Sequence, residues 1–288
     1  MAGTLYVVGT PIGNLEDMTF RAIRILGNVD WIAAEDTRHT GKLLQHFQIS
    51  TPQISYHDHN HQSRIPDLLS RLKDGQAIAL VTDAGMPGIS DPGYELVCAC
   101  IHEGILIVPI PGPTAAITAL SIAGLSTQRF IFEGFLPTKG TDRRERLETL
   151  QTESRTIVLY EAPHRLRETL ADLSHTLGGD RPVTLARELT KLYEEVWRGT
   201  LLQAIDHYHH REPHGEYTVV IAGATLDQPH LSESALKAEL EQLIRQGTSR
   251  SQASRQLAHQ TPLSRRQIYQ LALSIPALDS TDADDTPS

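Results

Sequence analysis

Between Thr4 and Gly124 short apolar runs alternate with helix-like stretches, the pattern of an α/β domain built on a largely parallel sheet. The expected strands are Leu5 to Val8, Trp31 to Ala34, Ala77 to Val81 and Ile105 to Ile110, each followed by a turn rich in Gly, Pro or Asp. Helices fill the gaps, as at Ile65 to Lys73, where Ile65, Leu68, Leu69 and Leu72 keep helical spacing. A second alternating block starts after a boundary near Ser126 and Thr127. Its expected strands are Phe130 to Phe135, Thr156 to Tyr160, Val183 to Ala186, Val196 to Leu201 and Tyr217 to Ala222, with helices at Arg143 to Leu150 and Leu166 to Leu177. Gly178-Gly179 ends the second helix. The later strands lie too close together for crossover helices, so part of this sheet should be antiparallel.

Beyond a polar linker at Leu226 to His230, three short helices are expected at Glu233 to Gln246, Ser251 to His259 and Ser264 to Leu273, with Ser232, Ser249 and Ser264 as N-caps and Gly247 as a C-cap. The stripes Leu236, Leu240, Leu243, Ile244, then Ala253, Leu257, then Ile268, Leu271, Ala272 can close one core around a turn at Thr261-Pro262-Leu263, in the manner of a helix-turn-helix. The acidic remainder lacks aromatics and should be disordered. The expected organisation is therefore residues 1–126 and 127–226 as two α/β domains, 232–275 as a small helical domain and 276–288 as a tail.

The 288 residues, 40% of them hydrophobic and 21% charged, exclude a disordered or fibrous chain. Cys98 and Cys100 are the only cysteines and do not face each other on a helix, so neither a disulfide framework nor a zinc site is expected. The opening MAGTLYVVGT has no basic n-region, and a cytoplasmic protein is expected. The uncharged stretch Ile105 to Leu125 is long enough to span a bilayer, but Pro109, Pro111, Gly112 and Pro113 break it into a strand, a turn and a helix, so no membrane association is expected. A net charge of −9 argues against nucleic acid as a partner. Its distribution weakens the objection. Asp279, Asp282, Asp284 and Asp285 crowd the tail, whereas Ser232 to Ile275 carries Lys237, Arg245, Arg250, Arg255, Arg265 and Arg266 against Glu233, Glu239 and Glu241.

Ligands of open α/β sheets bind outside the carboxyl ends of the strands. Three loops there stand out. Gly9-Thr10-Pro11-Ile12-Gly13-Asn14 has two glycines that would let backbone approach a ligand, yet lacks the dinucleotide G-x-G-x-x-G and the Walker Lys-Ser/Thr. Thr82 to Gly93 is far richer in Gly and Pro than a simple connection needs, and Pro109 to Ala116 opens a small-residue helix whose N–H groups could meet an anion. Together the three could line one crevice.

These loops resemble those of the tetrapyrrole methylase superfamily, in the branch that methylates small-subunit ribosomal RNA. Further segments share the resemblance: Ala34-Glu35-Asp36-Thr37-Arg38, Phe132 to Pro137, Tyr160-Glu161-Ala162-Pro163-His164-Arg165, Ala186 to Lys191 and Gly215-Glu216-Tyr217. Thr82 and Met86 stand where Ser and Thr would be expected. The resemblance runs from about Leu5 to Gly223. It implies a two-domain class III methyltransferase, a homodimer, that binds S-adenosyl-L-methionine between its domains and methylates the ribose 2′-hydroxyl of cytidine 1402 in the 16S rRNA of the 30S subunit. It also implies cofactor contacts at Gly9, Pro11, Asp83, Gly85, Met86, Thr114 and Ala115, and at Tyr160, Ala186 and Gly215, most of them through backbone atoms.

A ribose hydroxyl is a poor nucleophile until its proton leaves, so a general base or a base-poised water is expected. Glu35, Asp36, Arg38, Glu161, His164 and Glu188 are the catalytic candidates, and the sequence does not choose among them. Each also reads as a cap or an ion-pair partner. His57, His59 and His61 would share one face if they lay on a strand, but polar loop histidines need no metal, and none is expected there or at His207, His209, His210 and His214. Arg143, Arg144 and Arg146, after Lys139, read equally as an RNA contact and as a solvated helix face. Two other readings compete: an enzyme of this fold acting on a small tetrapyrrole, and a non-enzymatic nucleic-acid-binding regulator built on the C-terminal helices. The intact loops count against the second.

Overall fold

The computed structural model describes residues 2–225, 233–258, 261 and 263–275. The linker at 226–230, the cap at Ser232, the helix end at His259, the turn residue Pro262 and the acidic tail fall outside them. Contacts divide the chain into two compact units, between Ala224 and Thr225.

The first unit begins with β1 (Thr4–Val8), α1 (Phe20–Leu26), β2 (Trp31–Ala34), α2 (Thr37–His46), β3 (Gln53–Ser55), α3 (His61–Lys73), β4 (Ile78–Val81), α4 (Tyr94–His102), β5 (Leu106–Ile110) and α5 (Ala115–Ile122). The five strands form a parallel sheet in the order β3-β2-β4-β1-β5. Its strands are short, and the inner ones β2 and β4 are buried on both faces, as crossover helices require, while the edge strand β5 is partly exposed. Ala22, Ile25, Leu26, Leu43 and Leu44 of α1 and α2 cover one face, and Leu68, Leu72, Leu96 and Cys100 of α3 and α4 cover the other. The helix after β1 and the helix after its neighbour β4 thus leave to opposite faces, which opens a crevice between the carboxyl ends of these two strands.

A second sheet follows: β6 (Phe130–Phe135), α6 (Gly140–Gln151), β7 (Thr156–Glu161), α7 (Leu166–Leu177), β8 (Pro182–Arg187), β9 (Glu195–Thr200), α8 (Leu201–His209) and β10 (Tyr217–Ile221), ordered β6-β7-β10-β8-β9. Only β6 and β7 run parallel; the remaining pairs are antiparallel. Alternation sorts its residues. Ile157, Leu159, Val183, Leu185, Val219 and Ile221 face α6, α7 and α8, whereas Val158, Ala186 and Val220 face α5. Helix α5 therefore belongs by sequence to the first sheet and by packing to the second, with Ala116, Ala119, Leu120 and Ala123 buried in that contact. Thr184 Oγ1 adds a hydrogen bond to the Ala123 carbonyl, 2.9 Å.

The second unit contains α9 (Glu233–Arg245), α10 (Arg250–Ala258) and α11 (Arg265–Leu273), closed on Leu236, Leu240, Ala253, Leu257, Ile268, Ala272 and Ile275. Ser264 caps α11 with a reciprocal Ser264–Gln267 capping box, and Ser249 accepts from the Gln252 N–H at the start of α10.

One expectation needs correction, and two stretches are settled that the sequence left open. Leu201 does not end β9 but opens α8, because Thr200 and Gln203 form a capping box there. Helix α2 and strand β3 occupy a stretch with no clear apolar period. Residues His57 to Asn60 form a turn, with Asn60 Oδ1 accepting from His57 N at 2.9 Å, so the alternation of a strand does not apply to the three histidines. Among the described residues no helix is long and apolar enough to cross a membrane.

The two loops at the crevice floor touch backbone to backbone. A Cβ on Gly9 would lie 2.6 Å from Met86 Sδ, which can swing away, but also 2.7 Å from Gly112 Cα and 2.8 Å from its nitrogen, which cannot. Gly9 thus allows the close contact between the two loops. Gly9→Ala should lower stability by about 1–3 kcal/mol, read as an earlier urea midpoint at unchanged slope.

Candidate functional site

A cleft of about 400 Å³ lies between the carboxyl ends of the first sheet and the facing loops of the second. One wall is Ile12, Gly85, Met86 and Ile89, from the loops after β1 and β4, together with Thr114 and Ala115 at the start of α5. The other is Phe135, Tyr160, Ala186, Leu189 and Tyr217. Tyr160 packs edgewise on Phe132 with ring centroids 5.0 Å apart, and its hydroxyl accepts the Ala116 N–H at 3.2 Å. That bond ties the first turn of α5 to β7. Asn14 N–H donates to Thr190 Oγ1 at 3.0 Å on the far side.

Of the residues singled out from sequence, Gly85, Met86, Thr114, Ala115, Tyr160, Glu161, His164, Ala186 and Glu188 line this cleft. Gly9, Pro11, Asp83 and Gly215 do not; they hold the loops that do. Gly9 abuts Gly112, Pro11 is buried, and Gly215, at φ +73°, lies against the Glu188 side chain. Asp83 exchanges hydrogen bonds with the loop after β2: its N–H donates to Glu35 Oε2 and its Oδ1 accepts from Asp36 N–H, each at 3.2 Å. Asp36 also caps α2 through the Arg38 N–H and pairs with the Arg38 guanidinium at 2.7 Å, which holds its carboxyl well below the usual range. Arg38 itself is 88% exposed.

Four carboxylates line the cleft, and three are committed. Glu161 is fully buried and accepts from Thr169 Oγ1 and from the Ala162 N–H at 2.8 Å, with the Arg165 guanidinium 3.6 Å away. Glu188 and Glu216 share Lys191 Nζ at 2.8 and 2.9 Å, and Glu188 Oε1 also accepts the Glu216 N–H. The fourth, Asp91, has no hydrogen bond or ion pair among the described residues. Partial burial, then the charges of Glu35, Asp83, Asp58 and Glu216, push it up to about 7. Burial likewise raises Glu35, partly offset by the Asp83 N–H. Asp91, Lys191 and Glu216 lie within the segments quoted from sequence, but nothing in the residue order marks Asp91 as unpaired.

Backbone strain gathers at the same place. Ser90, Glu188 and Thr190 adopt positive φ of 60°, 49° and 67°. A Cβ on Gly134, at the β6 bulge, would meet Ser90 Oγ at 2.9 Å. Such conformations cost about 1–3 kcal/mol each and persist only where surrounding contacts over-determine them.

The basic run on α6 divides. Arg143 is buried and donates to Asp172, Thr169 and the Pro137 carbonyl, and Arg146 pairs with Glu133 at 3.3 Å; only Arg144 is left to solvent without a partner among the described residues. His207 stacks on Trp197, centroids 5.3 Å apart, and no group of metal-ligating side chains is found among the described residues.

A family model described as tetrapyrrole (corrin/porphyrin) methylases matches residues 4–205. The chain is 60% identical to ribosomal RNA small subunit methyltransferase I of Synechocystis sp. over 96% of its length and 99% of that protein's. The chain belongs to the tetrapyrrole methylase family, in its ribosomal RNA small subunit methyltransferase I branch. Proteins of the same name from Halalkalibacterium halodurans (47%, covering 93% of this chain and 94% of that one) and Escherichia coli O157:H7 (50%, covering 82% and 83%) are also similar. Among solved structures, the methyltransferase CobJ superposes with a TM-score of 0.60 at 18% identity over 77% of this chain and 95% of its own, a likeness of fold. The tetrapyrrole methylase fold thus accounts for the two sheets and the cleft between them.

Asp91 gives the tetrapyrrole methylase fold a pH dependence whose sign is fixed. Unfolded, the carboxyl ionises near 3.8; folded, it holds its proton to about 7. Between these values the folded state binds more protons, so stability falls as pH rises, and above about 7 the deficit is constant. Asp91→Asn should therefore raise the melting temperature relative to the parent protein at pH 8 and leave it nearly unchanged at pH 4, as calorimetric scans at the two values would show.

Proposed function

We propose that this chain uses S-adenosyl-L-methionine to methylate the ribose 2′-hydroxyl of cytidine 1402 in 16S rRNA, acting on the 30S subunit in the cytoplasm as a homodimer. The observation that supports the acceptor most is the near full-length similarity to proteins named as small-subunit ribosomal RNA methyltransferases. The cleft supports the cofactor. Its volume falls in the range of small-molecule sites, its walls are apolar and aromatic, and its rim is acidic, which suits a ligand with a flat heterocycle and net positive charge. Gly85, Met86, Thr114 and Ala115 would hold it from one side, and Tyr160, Ala186 and Leu189 from the other.

The cofactor supplies a methyl group already activated on a sulfonium. The protein's own part is to orient and to exclude water. Tyr160, fixed by the Ala116 N–H, sets the distance between the walls. Gly9, Pro11, Asp83 and Gly215 act by holding loops in place. Alignment of the acceptor oxygen accounts for much of the acceleration in such a transfer. Glu35, Asp36 and Arg38 lie beside the cleft at the end of β2, where the exposed Arg38 is placed to meet a phosphate on the acceptor side. Glu161, with its lone pairs engaged by Thr169 and Ala162, serves as an anchor.

The helical unit would add affinity for rRNA. Arg250 and Arg265 are partly occupied by the Ile275 carbonyl and Ser251 Oγ, whereas Arg255 and Arg266 are exposed. Incubation with labelled cofactor and 30S subunits, followed by nucleoside digestion, should yield labelled 2′-O-methylcytidine; label on a tetrapyrrole precursor instead would refute the acceptor. Arg255→Ala with Arg266→Ala should weaken 30S binding at moderate salt and reduce the salt slope by about 2, at unchanged cofactor affinity.

A further inference from the structure

We infer that Asp91 is the group that takes the proton from the acceptor hydroxyl, the general base for which sequence offered six candidates but not this one. The inference rests on the reading of the cleft as a methyltransferase site. It follows from which lone pairs are free. A general base must face the reacting group, and each donor already bound to its carboxylate lowers its basicity. Glu161 has a donor on each oxygen, Glu188 and Glu216 share Lys191, Glu35 accepts from Asp83, and Asp36 is tied to Arg38, while His164 is exposed at the cleft and is the rival that the test below separates from Asp91. Asp91 lines the cleft with no donor on either oxygen among the described residues.

The backbone around it is held by local contacts. Ser90 before it is held at φ 60°, with its hydroxyl beside Gly134 of β6, and Gly88 N–H donates to the Pro92 carbonyl at 3.2 Å across the same turn. Gly93, at φ +145°, packs against Gly88 and Leu80. The carboxylate is thus presented by backbone, not by side-chain partners. His164 and Lys191 line the same cleft, and the groups whose charge acts most on it are Glu35 from the end of β2, Asp58 from the turn after β3, Asp83 from the end of β4 and Glu216 from the approach to β10, with the Tyr160 hydroxyl on β7 coupled to it. Those four carboxylates favour a proton arriving on Asp91, and its poise near neutrality suits transfer in both directions. In the step, the ribose oxygen bonds the methyl carbon while the carbon–sulfur bond breaks with its electron pair on sulfur. The hydroxyl proton passes to Asp91 and then to water.

The test uses the full-length protein in single-turnover methylation of 30S subunits across pH, with cofactor affinity by calorimetry and the Asp91 carboxyl followed by carbon NMR. The parent should show a rate that rises with pH to a plateau through an inflection near 7, coincident with the NMR titration of Asp91. Asp91→Asn should cut the rate on the order of 10²–10⁴-fold and abolish the inflection, with cofactor affinity changed far less. A rate loss matched by an equal loss of cofactor affinity would overturn the inference by placing Asp91 on the cofactor side. So would an inflection that persists in Asp91→Asn but vanishes in His164→Asn, the exposed imidazole in the same cleft. A parent protein that binds cofactor but leaves 30S subunits unlabelled would instead sink the proposed acceptor, and Asp91's role toward it as well.

Discussion

The contact on which everything else depends is the packing of α5 against the second sheet. Ala116, Ala119 and Ala123 are small enough for the helix to lie close on Val158, Ala186 and Val220, and Leu120 fills the remaining space. Because α5 leaves directly from the carboxyl end of β5, this seat fixes the first sheet's loop edge opposite the ends of β7 and β8. The cleft is the gap left over. A larger residue at Ala119, which is fully buried, would not simply strain a core; it would change the distance between the two walls.

Around that gap the chain accepts local cost. Gly9 and Gly112 meet backbone to backbone, and Ser90, Glu188 and Thr190 sit in left-handed conformations that L side chains rarely adopt. The acidic residues Glu35, Asp83 and Asp91 are brought together although they repel. Apart from the Gly9–Gly112 contact, which holds two loops together, these features cost stability. Each aims a group into the cleft or holds one there, and the cores on either side, with Leu5, Leu68, Leu96, Leu170 and Leu173 fully buried, supply the stability that offsets them.

The strands were legible because they are apolar runs flanked by turn residues, and Leu166–Leu177 because its leucines keep a strict helical period. β3 was not, since Gln53-Ile54-Ser55 buries a single side chain. Nor was α2, where Thr37-Arg38-His39-Thr40-Gly41-Lys42 offers little apolar signal before Leu43. Helix α8 left a signal that went unread, the Thr200-x-x-Gln203 capping box. At the site, the loops were legible from their Gly and Pro content, but the condition of each carboxylate was not. Glu161, Glu188 and Asp91 are alike as letters. Thr169, eight residues on, makes the first an anchor; Lys191 neutralises the second; the third is distinguished by its burial and by acidic neighbours at the ends of β2, β3, β4 and β10.

The shared helix also orders events on the ribosome that makes this chain. The first sheet is complete once β5 has emerged, and its two faces can be covered by α1 to α4 without anything that follows. Helix α5 emerges next, with a face of alanines and a leucine whose partners are Val158, Ala186 and Val220. The last of these lies on β10, the central strand that joins β7 to β8 and the last of the sheet to be synthesised. Until it arrives, α5 carries an uncovered apolar stripe for roughly the 5–20 seconds that about a hundred residues take at typical elongation rates. The helix that sets the width of the cleft therefore completes its packing only when the second sheet is whole, and until then its apolar stripe is open to misassociation.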